Sequence, residues 1–295
     1  MVEFFKKYVR ISKCIMDKLV NIFILNWNGK IMTLDCLRSL EKVTYPNINL
    51  VLIDNGSTDG SVNLIKKEFP NIEIIQLKEN LGYAGGNNYG FKNVKIQSEY
   101  SIFINNDTIV NPNFINPLIK PLKNDLSIMQ TAPKIFYAHK PNLLWFTGGY
   151  VNLLFGWIRH RGIRKIDKGQ YNNSTLIDYA TGCCFCMRTK DFDSFKMFDE
   201  SFSMYGEDVD LSIRVRKEGG KIMYIPESKI WHKVSASIGG QFSLIKWKKK
   251  SMGRIKLIKK NLNLVIFPLA LILNLIMIIL ELPFFLFYKI KASIK

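Results

Sequence analysis

Polar side chains able to bind a metal ion follow a hydrophobic run in the first half of this 295-residue chain. In the stretch SIFINNDTIV, Asn105, Asn106 and Asp107 come directly after residues that suit a buried strand. Asn and Asp end strands readily, because their side chains hydrogen-bond to the nearby backbone. A carboxylate is also a common ligand for a divalent cation. The stretch alone therefore leaves two interpretations open, a strand-end turn and a metal-binding site.

Three other hydrophobic runs end in the same way. Asn26 ends the first run, Asp54 and Asn55 end the second, and Asn80 and Gly82 follow the third. In an open α/β sheet, ligands bind beyond the carboxyl ends of the strands. Four polar strand ends at one edge favour a binding site, with separate turns as the alternative.

A second group of acids stands in SMYGEDVDLSIRVRKEGG. Glu207, Asp208 and Asp210 fall in the first turn of a predicted helix, where acids also serve as simple capping residues. Three acids in four residues repel one another, and a neighbouring like charge raises a carboxylate pKa, which suits a general base. Further on, His232 ends a short predicted strand. It is either structural or a metal ligand, provided that Asp107 lies nearby.

Residues 20–107 alternate continuous apolar runs with helical patterns. This alternation predicts a parallel sheet covered by helices on both faces, a doubly wound α/β fold. The stretch NWNGK after the first strand is neither a dinucleotide-binding fingerprint nor a phosphate-binding loop. The stretch GYAGGNN opens a helix, and its bare backbone offers a weak indication of nucleotide binding. Residues 156–175 are basic and polar, and we predict a long loop there.

The net charge of +18 is concentrated at the two ends of the chain. Residues 1–20 carry +3 and residues 244–295 carry +10. A nucleic-acid-binding protein usually spreads its basic residues over a groove-facing element of the folded domain. Here the charges lie beside apolar segments, which indicates an anionic membrane surface. We therefore expect a membrane as a partner, and no nucleic acid.

The C-terminal region contains a long apolar segment. Seventeen residues, Leu264 to Leu280, pass without a charge, and the apolar character resumes after Glu281. Such a segment is long enough for a tilted membrane crossing, and a re-entrant or interfacial segment is the alternative. Eight basic residues precede it, so the positive-inside rule places the main domain on the cytoplasmic side of the cell membrane. The predicted segments are a basic amphipathic helix (1–19), the main domain (20–243), a basic juxtamembrane segment (244–261), a transmembrane or membrane-inserted segment (262–289) and a tail (290–295).

Seven sequence pieces in order carry a family resemblance. They are ILNWNG, VLIDNGSTDGS, NLGYAGGNNYG, FINNDTIV, TGCCFCMR, FSMYGEDVDLSIRVRKEGG and IWH. With these pieces, residues 21–235 resemble the inverting family 2 glycosyltransferases of the GT-A fold, especially their rhamnosyltransferase-like branch. The resemblance implies a doubly wound, mainly parallel sheet and a nucleotide-sugar donor.

The resemblance also implies roles for individual residues. Asp54 would contact the nucleotide base, and Asp107, the last acid of the D-x-D signature, would bind a divalent cation, Mg or Mn. Asn105 stands in place of the first acid of that signature. His232 would complete the metal shell, and Asp208 would be the catalytic base. The expected nucleotide-sugar-binding residues are Asn26, Asp54, Asn55, Asn80, Gly82, Gly85, Gly86, Asn87, Asn106 and Asp107, with Gly182 and Glu207 on the acceptor side.

Together these observations predict a membrane-attached inverting glycosyltransferase. It would move a sugar from a nucleotide-diphosphate sugar to a hydroxyl of a lipid-linked or glycan acceptor by metal-assisted direct displacement. Two alternatives are a non-catalytic nucleotide-sugar-binding membrane protein and a nucleotidyltransferase. The second would need a triphosphate-gripping loop after the first strand, which NWNGK does not supply.

Overall fold

The structure, a computed structural model, describes residues 17–202, 204–234 and 244–293, with side chains of the last helix described as far as Pro283. The predicted N-terminal amphipathic helix lies outside the described residues, except for its last three positions. The helices are α1 (Lys30–Leu40), α2 (Ser61–Glu68), α3 (Gly82–Asn93), α4 (Ile115–Asn124), α5 (Thr189–Ser194), α6 (Glu207–Lys217), α7 (Leu244–Asn261) and α8 (Phe267–Ser293). The strands are β1 (Val20–Asn26), β2 (Ile48–Asp54), β3 (Glu73–Gln76), β4 (Tyr100–Asn105), β5 (Thr108–Val110), β6 (Ile128–Tyr137), β7 (Lys140–Phe146), β8 (Gly149–Asn152), β9 (Trp157–His160), β10 (Thr175–Leu176), β11 (Cys184–Arg188) and β12 (Lys221–His232).

The N-terminal strands form the parallel part of the central sheet, in the order β3, β2, β1, β4. Strand β1 reads VNIFILN and is buried along almost its whole length. Continuous apolar strands of this kind are typical of a parallel sheet covered on both faces. The alternation predicted for residues 20–107 is therefore confirmed. The register pairs Asn26 with Asp54, so both side chains reach the same edge of the sheet.

The C-terminal strands make the whole sheet mixed. Strand β11 runs antiparallel to both β4 and β6, while β12 runs parallel to β6. The short β5 pairs with the last residues of β12 and sets His232 opposite Thr108. This pairing brings the end of β12 to the turn that contains Asp107.

Helix α3 packs closely on the sheet because of its glycines. A Cβ atom at Gly90 would lie 2.2 Å from Ile53 Cδ1, and one at Gly86 would lie 2.6 Å from Leu25 Cδ1. A side chain at either position would force these side chains to shift, so the two glycines keep α3 close to the sheet. At the same interface, Phe103 stacks on Phe23 with a ring-centroid distance of 5.1 Å, and Phe91 of α3 packs against both rings.

Three cysteines that are close in the sequence lie in or next to strand β11. Cys183, Cys184 and Cys186 are free thiols and all three are buried. Burial raises the pKa of the Cys184 thiol well above its ordinary value. These residues therefore act as small core side chains, as their apolar surroundings in the sequence predict.

The prediction of one long loop over residues 156–175 is wrong in part. Strand β9 pairs with β8 to form a two-stranded sheet, and β10 pairs with β12. The loop between β9 and β10 is held down by Lys134, whose side chain is fully buried. Its Nζ donates to Asp167 Oδ2 at 2.9 Å and to Asn172 Oδ1 at 2.6 Å. A buried lysine needs such partners, and they order a segment that is polar in sequence.

The last two helices pack on the rest of the chain. Arg254 of α7 pairs with Glu281 of α8 at 3.2 Å. The Asn274 side chain of α8 donates to the carbonyl oxygens of Leu153 and Leu154, each at 3.3 Å. In the part of the chain that the structure describes, no helix is both long enough and apolar enough to cross a membrane.

Candidate active site

Asn26 is the centre of a hydrogen-bond network at the carboxyl edge of the parallel strands. Its Nδ2 donates to Asp54 Oδ1 at 3.0 Å and to Ser61 Oγ at 2.9 Å. Its Oδ1 accepts from Thr33 Oγ1 at 2.8 Å and from Asn106 Nδ2 at 3.3 Å. Buried polar groups require partners, and this network supplies them on both sides of Asn26. The predicted convergence of Asn26, Asp54 and Asn106 is therefore present.

Asn55 holds the loop that follows β3. Its Nδ2 donates to Asn80 Oδ1 at 2.9 Å and to the carbonyl of Gly82 at 3.0 Å, while its Oδ1 accepts from the backbone N–H of Leu81 at 2.9 Å. Gly82 has a φ of +74°, a conformation that favours glycine. One buried amide thus fixes both the shape of this loop and the start of α3.

The next residues of α3 face inward. A Cβ at Gly85 would lie 2.9 Å from Leu81 Cβ, and one at Gly86 would meet Asn55 as well as the sheet. Asn87 is buried and donates to the carbonyl of Tyr83 at 2.9 Å. All three predicted donor-site residues are therefore buried, and Gly86 lies against Asn55, the residue that fixes the loop.

Asp107 and His232 come together from distant parts of the sequence. His232 Nε2 lies 3.1 Å from Asp107 Oδ1, and both side chains are buried. Trp145 holds the imidazole from the side, with a ring-centroid distance of 4.6 Å and an interplanar angle of 81°. The other edge of Trp145 meets His160 at 4.5 Å. Burial and the charge of Lys250 lower the pKa of His160 to about 3, so this residue is neutral.

The Asp107–His232 pair fits a divalent cation as part of a larger shell. A carboxylate oxygen and an imidazole nitrogen at one point suit Mn²⁺, and Mg²⁺ commonly binds one or two carboxylates together with substrate phosphates. Among the described residues, no group of three or more His, Cys, Asp or Glu side chains is arranged to hold a metal ion. A cation held by this pair would need further ligands, and phosphate oxygens of a substrate are common ones.

Asp208 is oriented by the backbone. Its Oδ2 accepts from the N–H of Gly182 at 2.8 Å, and its Oδ1 accepts from the N–H of Val209 at 2.8 Å. Burial raises the pKa of Asp208, while these two hydrogen bonds act in the opposite direction. A raised pKa makes the carboxylate a stronger base, and the backbone donors keep it in one orientation.

Tyr83 extends this arrangement to α3. Its hydroxyl donates to the carbonyl oxygen of Gly182 at 2.6 Å, so the backbone of Gly182, through its carbonyl and its N–H, links Tyr83 to Asp208. The pattern analysis missed Tyr83, Trp145 and His160. Only the position of Tyr83 inside the glycine-rich stretch GYAGGNN could have drawn attention to it.

The other two acids of α6 differ from Asp208. Glu207 is buried, and its Oε2 has no hydrogen-bond partner among the described residues. Burial and the charge of Asp208 raise the pKa of Glu207 to about 8. Asp210 is fully buried and pairs with Arg214 and Lys260, each at 2.8 Å. Asp210 therefore has a structural role, whereas Glu207 and Asp208 are available to the site.

One short segment connects the two halves of the site. The N–H of Asn105 donates to the carbonyl of Cys183 at 2.9 Å, and the adjacent Gly182 donates to Asp208. The charges of both Asp107 and Asp208 raise the pKa of the Cys183 thiol, after the larger effect of burial. Asp208 and the end of the strand that leads to Asp107 are thus both joined by hydrogen bonds to the segment Gly182–Cys183. A carboxylate–imidazole pair that could hold a metal ion and a carboxylate oriented by backbone donors, together at the edge of an α/β sheet, are compatible with a group-transfer enzyme that acts on a phosphorylated donor.

A family model confirms this class. The model described as Glycosyl transferase family 2 matches residues 22–195, and the chain belongs to that family. It is therefore a glycosyltransferase. Among curated relatives, it is 25% identical over 221 residues to an N-acetylglucosaminyl-diphospho-decaprenol L-rhamnosyltransferase of Mycobacterium tuberculosis, covering 69% of this chain and 72% of that one. It is 24% identical to the rhamnosyltransferase WbbL of Escherichia coli, covering 65% of this chain and 79% of that one.

Solved structures show the same fold. GalNAc-T7, solved with UDP, GalNAc and Mn²⁺, superposes with a TM-score of 0.64 and 17% identity over 81% of this chain and 48% of that one. The mannosyltransferase PcManGT of Pyrobaculum calidifontis, solved with GDP-Man and Mn²⁺, gives a TM-score of 0.60 and 12% identity over 87% of this chain and 70% of that one. The predicted GT-A-like α/β fold is thereby confirmed, with a mixed central sheet.

Proposed function

We propose that this glycosyltransferase moves a sugar from a nucleotide-diphosphate sugar to a hydroxyl of a lipid-linked glycan, with inversion at the anomeric carbon. The observation that carries the proposal is the segment Gly182–Cys183, which is hydrogen-bonded to the base Asp208 on one side and to the strand that leads to Asp107 on the other. This segment sets an acceptor hydroxyl at Asp208 beside a donor diphosphate near Asp107.

The residues of the chain have distinct roles in the reaction. Asp54 and the loop fixed by Asn55 hold the nucleotide part of the donor. Asp208 accepts the proton of the acceptor hydroxyl, whose oxygen forms a bond to the anomeric carbon as the bond to the diphosphate breaks. Attack from the face opposite the leaving group produces inversion in one step, so no enzyme nucleophile is required.

Asp107 and His232 would hold a divalent cation, Mg²⁺ or Mn²⁺. When bound, the cation would stabilise the negative charge that develops on the diphosphate. The support for this assignment is the 3.1 Å contact between the two side chains and the presence of Mn²⁺ in the two solved relatives of the same fold.

The lipid-linked acceptor is supported by the relative from M. tuberculosis, whose name specifies a diphospho-decaprenol substrate. Attachment to the cell membrane, with the catalytic domain on the cytoplasmic side, is supported by the C-terminal region. Leu264 and Val265, between α7 and α8, are 90% and 86% exposed, and α7 is strongly basic. Apolar side chains next to basic ones are typical of a membrane-surface segment.

The test of the proposed function is a donor and acceptor screen with the full chain. Nucleoside diphosphate release is measured for a panel of sugar nucleotides, with a bacterial lipid extract as the acceptor, and the product is analysed by NMR for its anomeric configuration. We expect release with one donor, dependence on lipid and on added Mg²⁺ or Mn²⁺, and inversion. A product with retained configuration, or donor binding without any transfer, would contradict the proposal.

A further inference from the structure

Helix α7 packs directly against the segment that leads into α6 and to the proposed base Asp208. A Cβ at Gly253 would lie 2.3 Å from the carbonyl oxygen of Tyr205, so the backbones of α7 and of this segment are in contact. Leu257 is fully buried in a cluster with Phe202 and Val209. Lys260 adds an ion pair with Asp210 at 2.8 Å. Through these contacts, α7 lines the proposed acceptor side of the site.

Three basic residues lie along one face of this helix. Lys246, Lys250 and Arg254 are spaced by four residues, so successive side chains project from the same face about 6 Å apart. The Nζ of Lys250 lies 5.3 Å from the centre of the Tyr205 ring, two residues before Glu207. We call these three residues the α7 basic stripe.

The α7 basic stripe runs from the metal-binding end of the site towards α8. Burial lowers the pKa of Lys246, but the charge of Asp107 is close enough to oppose that effect. At the other end, Arg254 pairs with Glu281 at 3.2 Å. In the described part of the chain, Glu281 is the only carboxylate within ion-pair distance of the stripe.

The three positive charges of the stripe therefore exceed the negative charge at ion-pair distance, which is that of Glu281. Burial, followed by the charges of Lys246 and Arg254, lowers the pKa of Lys250. The positive charges of the stripe repel one another, so an anionic ligand would stabilise them. Both Lys and Arg bind phosphate oxygens well.

We propose that Lys246, Lys250 and Arg254 bind the diphosphate of a lipid-linked acceptor, next to the base Asp208. This proposal rests on the proposed function, and it adds the site that recognises the acceptor. Tyr205 and Gly206 separate the stripe from Glu207 and Asp208 by one short segment, so an acceptor held by its diphosphate presents its sugar to the base.

The apolar part of such an acceptor has a surface to lie on. Leu264, Val265, Leu269 and Ile272 are exposed at the start of α8, each by more than half of its surface. The Arg254–Glu281 pair fixes α8 beside the stripe. The stripe and the exposed apolar residues therefore lie on the same two packed helices, and the donor diphosphate is assigned to the Asp107 end of the site.

The first experiment measures binding in detergent micelles with the full chain. The probes are undecaprenyl diphosphate, undecaprenol and phosphatidylglycerol. The test variant is Lys250→Gln with Arg254→Gln, and the control variant is Lys248→Gln with Lys259→Gln, which removes the same charge from exposed positions on the opposite face of α7. We expect the parent to prefer the diphosphate lipid, and the test variant alone to bind it about tenfold more weakly, as expected for lost charge-assisted hydrogen bonds.

The second experiment measures transfer to two acceptors that share one sugar, a polyprenyl-diphosphate glycoside and a neutral alkyl glycoside. We expect the test variant to raise KM about tenfold for the diphosphate acceptor only. Donor hydrolysis without an acceptor should stay unchanged. Equal losses for both acceptors, or a parent that binds undecaprenol or phosphatidylglycerol as tightly as the diphosphate lipid, would overturn the proposal. Selective binding of the diphosphate lipid without any transfer would instead refute the proposed function and leave the subsite standing.

Discussion

At the residue scale, backbone groups position Asp208, the proposed catalytic base. Two N–H donors, from Gly182 and Val209, each lie 2.8 Å from an oxygen of Asp208. The carbonyl of Gly182, on the other side of the same Cα, accepts from the hydroxyl of Tyr83 at 2.6 Å. A substitution at Tyr83 should therefore alter the orientation of Asp208 indirectly, through the backbone of Gly182.

Replacing Tyr83 with Phe removes this hydroxyl. We expect kcat to fall about tenfold, because a buried carbonyl loses its partner and the Gly182 peptide is free to turn. The pH profile of kcat should shift, while donor KM should stay constant. The matched control is Tyr89→Phe, an exposed residue of the same helix. A loss of thermal stability with an unshifted pH profile would assign Tyr83 to packing alone.

Glu207 should make stability depend on pH. Its pKa is raised from 4.5 to about 8 by burial and by the charge of Asp208. Between those values the folded chain keeps a proton that the unfolded chain has released, so the free energy of unfolding falls as the pH rises. Denaturant titrations from pH 5 to pH 8 should show a shallower decline for Glu207→Gln than for the parent. The exposed Glu227→Gln serves as the control, and identical slopes for all three proteins would contradict this account.

The sequence predicted which polar residues gather at the site, because the carboxyl ends of parallel strands meet at one edge. Asn26, Asp54 and Asp107 could be found in this way. The sequence did not show that Asn26 hydrogen-bonds to five side chains from separate elements, those of Thr33, Asp54, Ser57, Ser61 and Asn106. The inward orientation of Gly86 was equally hidden, because a glycine-rich stretch looks the same whether it faces a ligand or a strand.

At the scale of elements, α7 is more than a basic connection between the catalytic domain and the C-terminal apolar segment. Its eight basic residues suggested only a membrane-facing segment. The buried face made of Ser251, Gly253, Leu257 and Ile258 was not evident from that composition. The structure shows that this face contacts Tyr205 and Val209, which flank the acids of α6.

Replacing Gly253 with Ala should push α7 away from Tyr205, because the new Cβ would meet its carbonyl at 2.3 Å. Overpacking of this kind costs about 1–3 kcal/mol. We expect a lower free energy of unfolding in denaturant titrations together with reduced transfer activity. Met252→Ala, at an exposed position one residue earlier, should change neither. Parent-like stability of Gly253→Ala would show that the helix is not seated as described.

At the scale of the whole molecule, charge and apolar exposure are concentrated in the C-terminal region. Leu264 is 90% exposed and follows a helix with eight basic residues. Such an arrangement lets one surface combine electrostatic attraction with apolar insertion.

Replacing Leu264 with Asp should weaken co-sedimentation with vesicles of phosphatidylglycerol and phosphatidylcholine. An exposed carboxylate both loses apolar contact and repels the anionic surface. Leu126→Asp is the matched control, since Leu126 is 71% exposed in the catalytic domain. Equal loss of sedimentation in both variants would show that the C-terminal region is not the membrane-binding surface.

The central claim is that Asp208 is the general base of a sugar transfer. Asp208→Asn keeps the shape of the side chain and can still accept from Gly182, but it cannot take up the acceptor proton. Loss of a general base lowers the rate about 10²- to 10⁴-fold. The measurement is the transfer rate of Asp208→Asn beside the parent, with calorimetric donor binding on the same samples. The account predicts a rate loss in that range with unchanged donor affinity. A rate within a few-fold of the parent, or a parallel loss of donor binding, would contradict it.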